Sequence, residues 1–435
     1  MAKTTTAKPE APSVIYNLFP RLFKTIDDWT DYVDTIAAMR FNCIFVNPFH
    51  EVGGSKSLYA VRDYYKLNAE FLPAKAKTDD FTPLKRFVDK CKSQNIEVYM
   101  DLVINHTANE SVLVDKYPQW YKRDSNGKIA HPYAIDPANP SNVTVWGDLS
   151  EIEFEHSADW NGMIKYWDDM IAFYQAMDIN GFRCDAAYKV PKRAWEPLIQ
   201  NARKRSRGAK FWAESLGCTV EQTLALNGCG FDYLFNSSKW WNFESSWCLD
   251  QHSQFRHIAP SISFPESHDT TRLAADQPGT LHMQKNRYVL SAIFSKGLMM
   301  TTGYEHGATK QVNVVNTRPS DMTSGLRNWN LSEWVGRINA LKFDTPALCE
   351  EGQWRNVGSY DHDLLFLEKR TDDGRSGLCA MINKDWHNSR TVGRGEIPGD
   401  FENYKKIVRV FDEKCKSTSN TGNINMEASE IVLFM

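Results

Sequence analysis

Two charged side chains interrupt the otherwise apolar stretch Gly181-Phe182-Arg183-Cys184-Asp185-Ala186-Ala187. This stretch has the composition of a short buried strand, in which residues two apart point to the same side. Arg183 and Asp185 therefore share one face of the predicted strand. A neighbouring guanidinium favours the ionised form of a carboxylate, and an ionised, oriented carboxylate is what a covalent nucleophile requires. A structural ion pair in a buried core is the alternative interpretation.

Three further segments, residues 97–107, 210–215 and 261–269, each read as an apolar strand that ends in polar residues. The acidic, amide and histidine side chains in these segments are Asp101, Asn105 and His106 in the first, Glu214 in the second, and His268 and Asp269 in the third. Strands that carry such residues near their C-terminal ends are typical of the upper rim of a (β/α)₈ barrel. The four segments together therefore predict a site at the rim of a TIM barrel.

The four motifs, in this order, resemble those of the α-amylase superfamily, family thirteen of the glycoside hydrolases, and the resemblance runs over most of the chain. It implies that Asp185 is the catalytic nucleophile and Glu214 the general acid/base. It also implies that Asp269 binds sugar hydroxyls and stabilises the transition state. The substrate-binding residues that the resemblance implies are Arg183, His106, His268, Tyr59 and Asp63. Asp101 is expected to hold Arg183 and the strand ends in place.

Asp185 and Glu214 are expected at the ends of neighbouring strands, the fourth and fifth of the barrel. Cleavage of a glycosidic bond with retention needs two carboxyl groups about 5–5.5 Å apart. Neighbouring strands lie roughly 4.8 Å apart, so the two side chains can flank one glycosidic bond. The apolar run Phe211-Trp212-Ala213 before Glu214 is expected to raise the pKa of Glu214 and keep it protonated. A barrel-core carboxylate paired to a base is the alternative for Glu214.

The chemistry implied by these motifs requires no cofactor, although calcium is possible. Asn105 corresponds to a position that ligates calcium in many amylases, but calcium takes about six to eight oxygen ligands. The nine cysteines include no C-x-x-C spacing, so a zinc site is not expected.

Composition excludes several classes of partner. The chain has 435 residues, 42% apolar content and a formal net charge of −3, which favours neither nucleic acid nor an anionic membrane. No apolar run approaches the roughly 20 residues of a membrane span, and the N-terminal residues lack a hydrophobic signal segment. The scattered cysteines and the lack of a signal segment together predict a cytoplasmic protein.

The fold class predicted from periodicity is α/β, a (β/α)₈ barrel with two additions. Strands alternate with amphipathic helices over residues 14–343, which indicates βαβ units and a parallel sheet. Residues 107–158 break this pattern and predict an inserted subdomain after strand three. From residue 344 to 435 the period becomes two, which predicts a C-terminal antiparallel β-sandwich. Residues 1–13 are expected to form a disordered tail.

The expected function is that of a retaining glycoside hydrolase on α-glucosidic bonds, with α-1,4 bonds favoured, in maltooligosaccharides or α-glucans. An α-glucan transglycosylase is the alternative, because the chain departs from typical amylases at Tyr188 and Lys189, where those enzymes have a Lys-His pair. The pattern Asp-x-x-x-x-x-Pro that begins at Asp185, the run 146–152 and the segment 117–127 resemble the maltosyltransferase branch of the superfamily instead. A non-catalytic carbohydrate-binding barrel is a third hypothesis, although such proteins typically lose carboxylates that this chain retains.

Overall fold

A computed structural model describes residues 10–136, 139–358, 363–412, 415, 417–418 and 422–435. The first half of the chain contains, in order, β1 (Val14–Leu18), α1 (Ile26–Ala38), β2 (Cys43–Val46), β3 (His50–Val52), β4 (Val61–Leu67), α2 (Thr82–Ser93), β5 (Glu97–Leu102), β6 (His106–Ala108), α3 (Val112–Lys116), β7 (Tyr133–Asp136), β8 (Asn139–Val145), β9 (Leu149–Glu151), α4 (Trp160–Gln175), β10 (Gly181–Cys184), α5 (Lys192–Arg205) and β11 (Lys210–Ala213).

The second half continues with α6 (Val220–Leu224), β12 (Tyr233–Phe235), α7 (Ser246–Phe255), β13 (Ser261–Ser263), α8 (Leu281–Phe294), β14 (Gly297–Thr301), α9 (Ser332–Asp344), α10 (Pro346–Cys349), β15 (Gly352–Gly358), β16 (Leu364–Thr371), β17 (Gly377–Asn383), β18 (Arg390–Val392), β19 (Ile407–Arg409), β20 (Ser417–Thr418), β21 (Ile424–Met426) and β22 (Ile431–Phe434).

Eight parallel strands close into a barrel in the order β1, β2, β5, β10, β11, β12, β13, β14. Every residue of β1, β2, β10 and β14 is buried, as expected for strands covered by helices on one side and packed side chains on the other. Rings and aliphatic side chains fill the interior, including Tyr99 stacked on Trp212 with centroids 3.8 Å apart. The predicted TIM barrel is confirmed.

The helices bury one face each against the outside of the barrel. In α1, Ile26, Trp29, Val33 and Ile36 recur at helical spacing and are all buried. The helix begins with a capping box in which the Thr25 amide donates to the Asp28 carboxylate at 2.7 Å.

Gly181 begins the strand that leads to the predicted nucleophile, and its neighbours leave no room for a side chain. A Cβ on Gly181 would lie 2.2 Å from the Lys210 carbonyl oxygen and 2.6 Å from the Tyr99 ring. Only glycine therefore allows β10 to pack against both neighbours at this level.

The segment between β5 and α4 contains short antiparallel pairs where the sequence shows no clear periodicity. β6 pairs with β9, and β7 pairs with β8 in a hairpin. The pairs Tyr133–Val145 and Ile135–Val143 lie opposite one another in this hairpin, and all four side chains are exposed. The limits of the inserted subdomain, 107–158, stay a prediction.

The C-terminal region is antiparallel, as predicted. One sheet has six strands in the order β15, β16, β17, β22, β19, β20, and a second sheet pairs β18 with β21. Alternation along β16 sends Leu365 and Leu367 into the large core shared with the barrel helices. The opposite face of the sheet packs in a separate cluster with Val392 of β18 and Met426 of β21. This two-layer arrangement agrees with the predicted sandwich.

The tail prediction for residues 1–13 needs a correction. Residues 1–9 lie outside the described part, but Pro12 and Ser13 are buried against the barrel. The Pro12 carbonyl accepts a hydrogen bond from Asn42, and the Ser13 amide donates to the Tyr233 hydroxyl. Pro12 and Ser13 therefore pack against the barrel before β1 begins. Within the described residues, no helix combines the length and apolar character needed to cross a membrane.

Candidate active site

A cleft of about 440 Å³ opens where the C-terminal ends of the barrel strands meet the inserted segment. The predicted site residues Tyr59, Asn105, His106, Arg183, Asp185, Glu214 and Asp269 all line it. We call Asp101, Arg183, Asp185 and Glu214 the floor, because they come from strands β5, β10 and β11 or the residues that follow them. We call Tyr133, Trp146 and Trp240 the wall, because these three rings line the cleft from the segments above.

Arg183 is the centre of the floor. Its Nη1 donates to both oxygens of Asp101, at 2.9 and 3.1 Å, and to Asp185 Oδ1 at 2.8 Å. Its Nη2 lies 4.0 Å from Glu214 Oε2. The parallel register places Arg183 directly beside Asp101, so the sequence of the two strands fixes this contact. One buried guanidinium therefore joins three carboxyl groups.

The nucleophile candidate Asp185 is oriented from both sides. Asp185 Oδ1 accepts from Arg183, and Oδ2 accepts from Asn105 Nδ2 at 3.3 Å. The side chain keeps some exposure to the cleft. Both carboxylate oxygens therefore have a fixed donor while one edge of the group remains accessible.

Glu214 stands on the neighbouring strand at the same level. Cys184 pairs with Ala213, so the next residues, Asp185 and Glu214, follow on adjacent strands about 4.8 Å apart. The Glu214 amide donates to the Cys184 carbonyl at 3.0 Å, which continues the ladder to this level.

Two backbone amides hold the Glu214 carboxyl. The Ala186 amide donates to Oε2 at 2.8 Å, and the Leu216 amide donates to Oε1 at 2.7 Å. Ala186 has a φ of +40°, a left-handed conformation that residues other than glycine rarely adopt. This strained residue directly after Asp185 points its amide across to Glu214.

Burial makes Glu214 a weaker acid than an exposed glutamate. The residue is only 8% exposed, and burial raises its pKa to about 7. The negative charges of Asp185 and Asp269 add to the rise, while Arg183 and the Leu216 amide oppose it. Burial likewise raises the pKa of Asp101 to about 6, against the opposing effect of Arg183. Glu214 thus holds a proton near neutrality, as a general acid must.

Asp269 has a different environment from the floor carboxyls. Its side chain is 60% exposed, and Oδ2 lies 3.0 Å from His268 Nε2. Desolvation in the cleft acts to raise the pKa of Asp269, but His268 and then Arg183 outweigh it and hold that pKa below its usual range. Asp269 is therefore an ionised carboxylate that projects into the cleft.

Tyr59 and His268 connect Asp269 to the floor. The Tyr59 hydroxyl donates to Asp101 Oδ2 at 2.7 Å and lies 2.7 Å from His268 Nε2. The two rings stack nearly parallel, with centroids 5.6 Å apart. His268 is buried behind Tyr59 and Asp269, so it orients these residues from outside the cleft lining.

His106 lies in the lining beside Asp185. Its Nδ1 contacts Asn105 Oδ1 at 2.7 Å, and its buried Nε2 has no hydrogen-bond partner among the described residues. Burial lowers the pKa of His106, although the charge of Asp185 acts the other way. His106 therefore lies in the cleft lining with Nδ1 held by Asn105 and with Nε2 enclosed by protein atoms.

Asp63 is, with His268, a predicted substrate-binding residue that does not line the cleft. It lies on β4, where it pairs with Glu51 of β3, and its Oδ1 accepts from the Tyr65 amide. Lys66 lies 3.8 Å from its other oxygen. The hairpin geometry after strand two directs Asp63 away from the strand ends, so its predicted sugar contact is not supported.

The surroundings of Asn105 do not fit a calcium ion. The amide Nδ2 donates to Asp185, and Oδ1 is occupied by its contact with His106. Within the described residues, no group of three or more His, Cys, Asp or Glu side chains could hold a metal. Asn105 serves here as a support for Asp185.

Sequence reasoning missed the wall and a buried clamp. The clamp is the ion pair between Arg272 Nη1 and Glu266 Oε1, 2.6 Å apart, which closes the base of the loop that carries His268 and Asp269. Glu266 also accepts from the Leu273 amide. The single residues involved have no periodicity, so only the fold reveals the clamp.

A closed eight-stranded barrel with paired carboxyl groups at its C-terminal strand ends is an arrangement that glycoside hydrolases use. A family model described as "Glycogen debranching enzyme, glucanotransferase domain" matches residues 13–129. With the relatives and solved structures described next, this match supports the resemblance of the chain to the α-amylase superfamily, with features that resemble its maltosyltransferase branch.

Curated relatives match nearly the whole chain at low identity. An alpha-1,4-glucan:maltose-1-phosphate maltosyltransferase of Burkholderia pseudomallei is 22% identical, covering 90% of this chain and 35% of the relative. The enzyme of that name from Myxococcus xanthus is 23% identical, covering 86% of this chain and 59% of the relative. Alpha-amylase MalA of Haloarcula japonica is 21% identical, covering 87% of this chain and 54% of the relative. The chain thus spans about a third to three fifths of these relatives' length.

Solved structures share the fold along the full chain. An alpha-amylase from Lactobacillus plantarum superposes with a TM-score of 0.72 at 16% identity, covering 97% of this chain and 98% of that one. The maltogenic alpha-amylase AmyB from Thermotoga neapolitana gives a TM-score of 0.71 at 19% identity, with the same coverage. At this identity, the likeness establishes the architecture.

Proposed function

We propose that the chain is a retaining enzyme that cleaves α-glucosidic bonds, with α-1,4 bonds favoured, in maltooligosaccharides or α-glucans. The observation that carries the proposal is the pairing of Asp185 and Glu214 around Arg183, with the pKa of Glu214 near 7. No cofactor is part of this proposal. The cytoplasmic location suggested by the scattered cysteines belongs to it as well, and cell fractionation would test that part.

The first half of the reaction transfers the glycosyl group to the protein. An oxygen of Asp185 forms a bond to the anomeric carbon, and the bond from that carbon to the glycosidic oxygen breaks. The leaving oxygen keeps the electron pair and takes the proton of Glu214. Arg183 holds Asp185 in line for the attack.

The second half releases the glycosyl group. Glu214, now a carboxylate, takes a proton from water or from a sugar hydroxyl, whose oxygen bonds to the anomeric carbon. The bond between that carbon and Asp185 breaks, which restores both carboxyl groups to their starting forms. The same chemistry yields hydrolysis or transfer, and only the identity of the acceptor differs.

The other site residues act on the sugar hydroxyls. Asp269 projects an ionised carboxylate into the cleft, and His106 is part of the cleft lining. Hydrogen bonds from sugar hydroxyls to the charged carboxylate strengthen as the ring gains oxocarbenium character. His268 and Tyr59 are positioning residues for Asp269 and for the floor.

Transfer to a glucan acceptor is a second candidate function. The relatives from Burkholderia and Myxococcus are named as maltosyltransferases, and in this chain Tyr188 and Lys189 line the cleft. A sugar held against these side chains would compete with water for the glycosyl intermediate.

Product analysis separates these functions. The protein is incubated with maltoheptaose, and products are resolved by length while reducing ends are counted. Hydrolysis gives shorter chains and a rise in reducing ends, whereas transfer gives longer and shorter chains with a constant number of ends. Unchanged maltoheptaose that nevertheless binds would instead indicate a non-catalytic carbohydrate-binding barrel.

A further inference from the structure

A buried arginine lies shortly after the first barrel strand and has no part in the reaction above. Arg21 follows β1 and is only 3% exposed. A buried guanidinium is costly unless acceptors satisfy its donors, so its partners show which groups it holds. Each of its three nitrogen atoms donates to a different segment of the chain. Arg21 therefore joins segments that are far apart in sequence.

Two of the three partners are backbone carbonyl groups beside the cleft. Nη2 of Arg21 donates to the Lys56 carbonyl at 2.6 Å, and Nε donates to the Val314 carbonyl at 3.0 Å. Nη1 forms an ion pair with Glu70, whose side chain is half exposed. Val314 lines the cleft, and so does Ser57, the residue after Lys56. One guanidinium therefore fixes the loop between β3 and β4 and the loop after β14 at the edge of the site.

The backbone of Lys56 is strained. Lys56 has a φ of +62°, in the left-handed region that residues other than glycine rarely adopt. Such a conformation persists only when the surrounding structure holds it. The Lys56 amide donates to the Gly53 carbonyl at 3.0 Å, and the Lys56 carbonyl accepts from Arg21. Because Lys56 lies three positions before Tyr59, its conformation sets the path by which the loop brings Tyr59 to the cleft.

The loop that carries Tyr59 meets the loop after β14 at one carbonyl oxygen. The Leu58 amide donates to the Val314 carbonyl at 3.2 Å, so this oxygen accepts from both Leu58 and Arg21. The next residue, Tyr59, donates from its hydroxyl to Asp101 at 2.7 Å. The backbone on both sides of Ser57 is thus held by contacts that include Arg21, immediately before a side chain of the site.

A second buried arginine holds the loop after β14 four residues earlier. Arg272 of the clamp donates from Nε to the Lys310 carbonyl at 3.3 Å. We call residues 310–314 the connecting segment, because the two arginines hold its first and last residues. Arg272 also lies three positions after Asp269 in the loop that follows β13. The connecting segment therefore links the loop of Asp269 to the loop of Tyr59.

We propose that Arg21 is a positioning residue for the reaction. It holds the Lys56 and Val314 carbonyl groups, which fixes the loop of Tyr59 against the connecting segment. The fixed loop keeps the Tyr59 hydroxyl in contact with Asp101. Arg21 does not line the cleft, so it acts through Tyr59 and does not touch the sugar. Because it concerns the rate of glycosidic cleavage, this inference rests on the proposed function.

Removal of the guanidinium measures its effect on the reaction. Arg21→Met keeps an unbranched apolar stem but removes all three donors. Its kcat/KM for maltoheptaose should fall about 10- to 100-fold, because small misplacements of site residues have effects of this size. Arg62→Met is the matched control, since Arg62 lies on β4, pairs with Glu51 and does not line the cleft. Unchanged activity in Arg21→Met, or equal losses in the two variants, would overturn the inference.

Arg21→Lys separates geometry from charge. Lysine keeps the positive charge but has a single nitrogen, which cannot replace a planar guanidinium that donates to three segments at once. We expect this variant to keep a native circular dichroism spectrum and to lose kcat/KM to an extent similar to Arg21→Met. Wild-type activity in Arg21→Lys would show that charge alone matters and would refute the positioning role. Arg21→Lys also replaces Arg21→Met in the tests below if the latter does not fold.

A double-mutant cycle tests whether Arg21 acts through Tyr59. Tyr59→Phe removes the hydroxyl whose position Arg21 is proposed to fix. In this background, Arg21→Met should lower kcat/KM by less than about threefold, because residues that act through one contact have losses that do not multiply. The full 10- to 100-fold loss in the Tyr59→Phe background would show that the two residues act independently, and it would overturn the inference.

Hydrogen exchange keeps this inference distinct from the proposed function, because it requires no turnover. In Arg21→Met, the Leu58 amide should exchange at least about tenfold faster, since its acceptor on Val314 is no longer held. Exchange in β10 should not change. Unchanged exchange at Leu58, or an equal rise in β10 from general destabilisation, would refute the positioning role even if maltoheptaose is cleaved. Faster exchange at Leu58 in a protein whose wild type cleaves no glucan would support the contacts of Arg21 and refute the proposed function.

Discussion

The floor and the wall of the cleft are built in opposite ways. Floor residues lie on adjacent parallel strands or directly after them, in a register that the barrel ladder fixes. Wall residues come from the β7–β8 hairpin, from the turn after it and from the loop after β12, and their rings are largely exposed. Reaction chemistry thus rests on the rigid scaffold, and substrate selection rests on segments that can vary without disturbing it.

The energetics of the two regions differ for the same reason. Floor charges are buried and share partners, so the loss of one side chain leaves the others uncompensated. Wall rings contribute mainly contact area, and each contributes a modest, separable amount. Mutations in the floor should therefore act on the rate of reaction, and mutations in the wall on affinity.

The largest effect is expected at the nucleophile. Asp185→Asn keeps the shape of the side chain but removes the charge that attacks the anomeric carbon, so kcat on maltoheptaose should fall by about 10⁴-fold or more. Asp115→Asn is the control for loss of an exposed carboxylate. Wild-type turnover by Asp185→Asn, with native circular dichroism, would exclude the covalent mechanism.

The next effect concerns the proton on Glu214. Because its pKa is about 7, wild-type kcat/KM should decline as the pH rises through about 7 and the acid loses its proton. Glu214→Gln should lower kcat on maltoheptaose by about 10²–10⁴-fold and remove this alkaline limb. With α-maltosyl fluoride, whose leaving group needs no proton, the variant should lose far less. Equal losses on both donors would remove Glu214 from the role of acid.

Burial of Glu214 also predicts a pH-dependent cost in stability. The raised pKa means that the folded state binds this proton more tightly than the unfolded state, so stability falls as the pH rises from about 4.5 through 7. Relative to Glu214→Gln, the wild type should lose up to about 3 kcal/mol of unfolding free energy between pH 4.5 and 8. Urea unfolding of both proteins at pH 4.5 and pH 8 measures the change in unfolding free energy with pH. A pH-independent effect of the glutamine substitution on stability cancels in this comparison. Parallel pH profiles would contradict it.

The floor could be predicted from sequence because its signals are local. The period-two placement of Arg183 and Asp185 and the apolar run before Glu214 are properties of single strands. Parallel pairing then brings the strand ends together without further information. The role of Asn105 as a support for Asp185 needed the three-dimensional structure, because its amide could equally have faced a metal ion.

The wall could not be predicted in this way. Strand β8 of the hairpin contains Pro, Asn, Ser and Thr, which are typical of a loop, and its pairing with β7 depends on neighbours in the fold. Asp63 shows the reverse error, because its position in a motif suggested the cleft while the β3–β4 hairpin turned it elsewhere. Whether an aromatic side chain lines a site depends on tertiary placement, which residue type alone does not encode.

The smallest expected effect lies in the wall, at Trp240, which is 59% exposed and lines the cleft. Trp240→Ala removes a stacking surface and should raise KM for maltoheptaose about fivefold, which corresponds to roughly 1 kcal/mol, with kcat nearly unchanged. Trp247→Ala is the matched control, because that ring is 53% exposed on α7 and does not line the cleft. A fall in kcat as large as that of a floor variant would mean that Trp240 also shapes the transition state, and the division between a chemical floor and a selective wall would then fail at this residue.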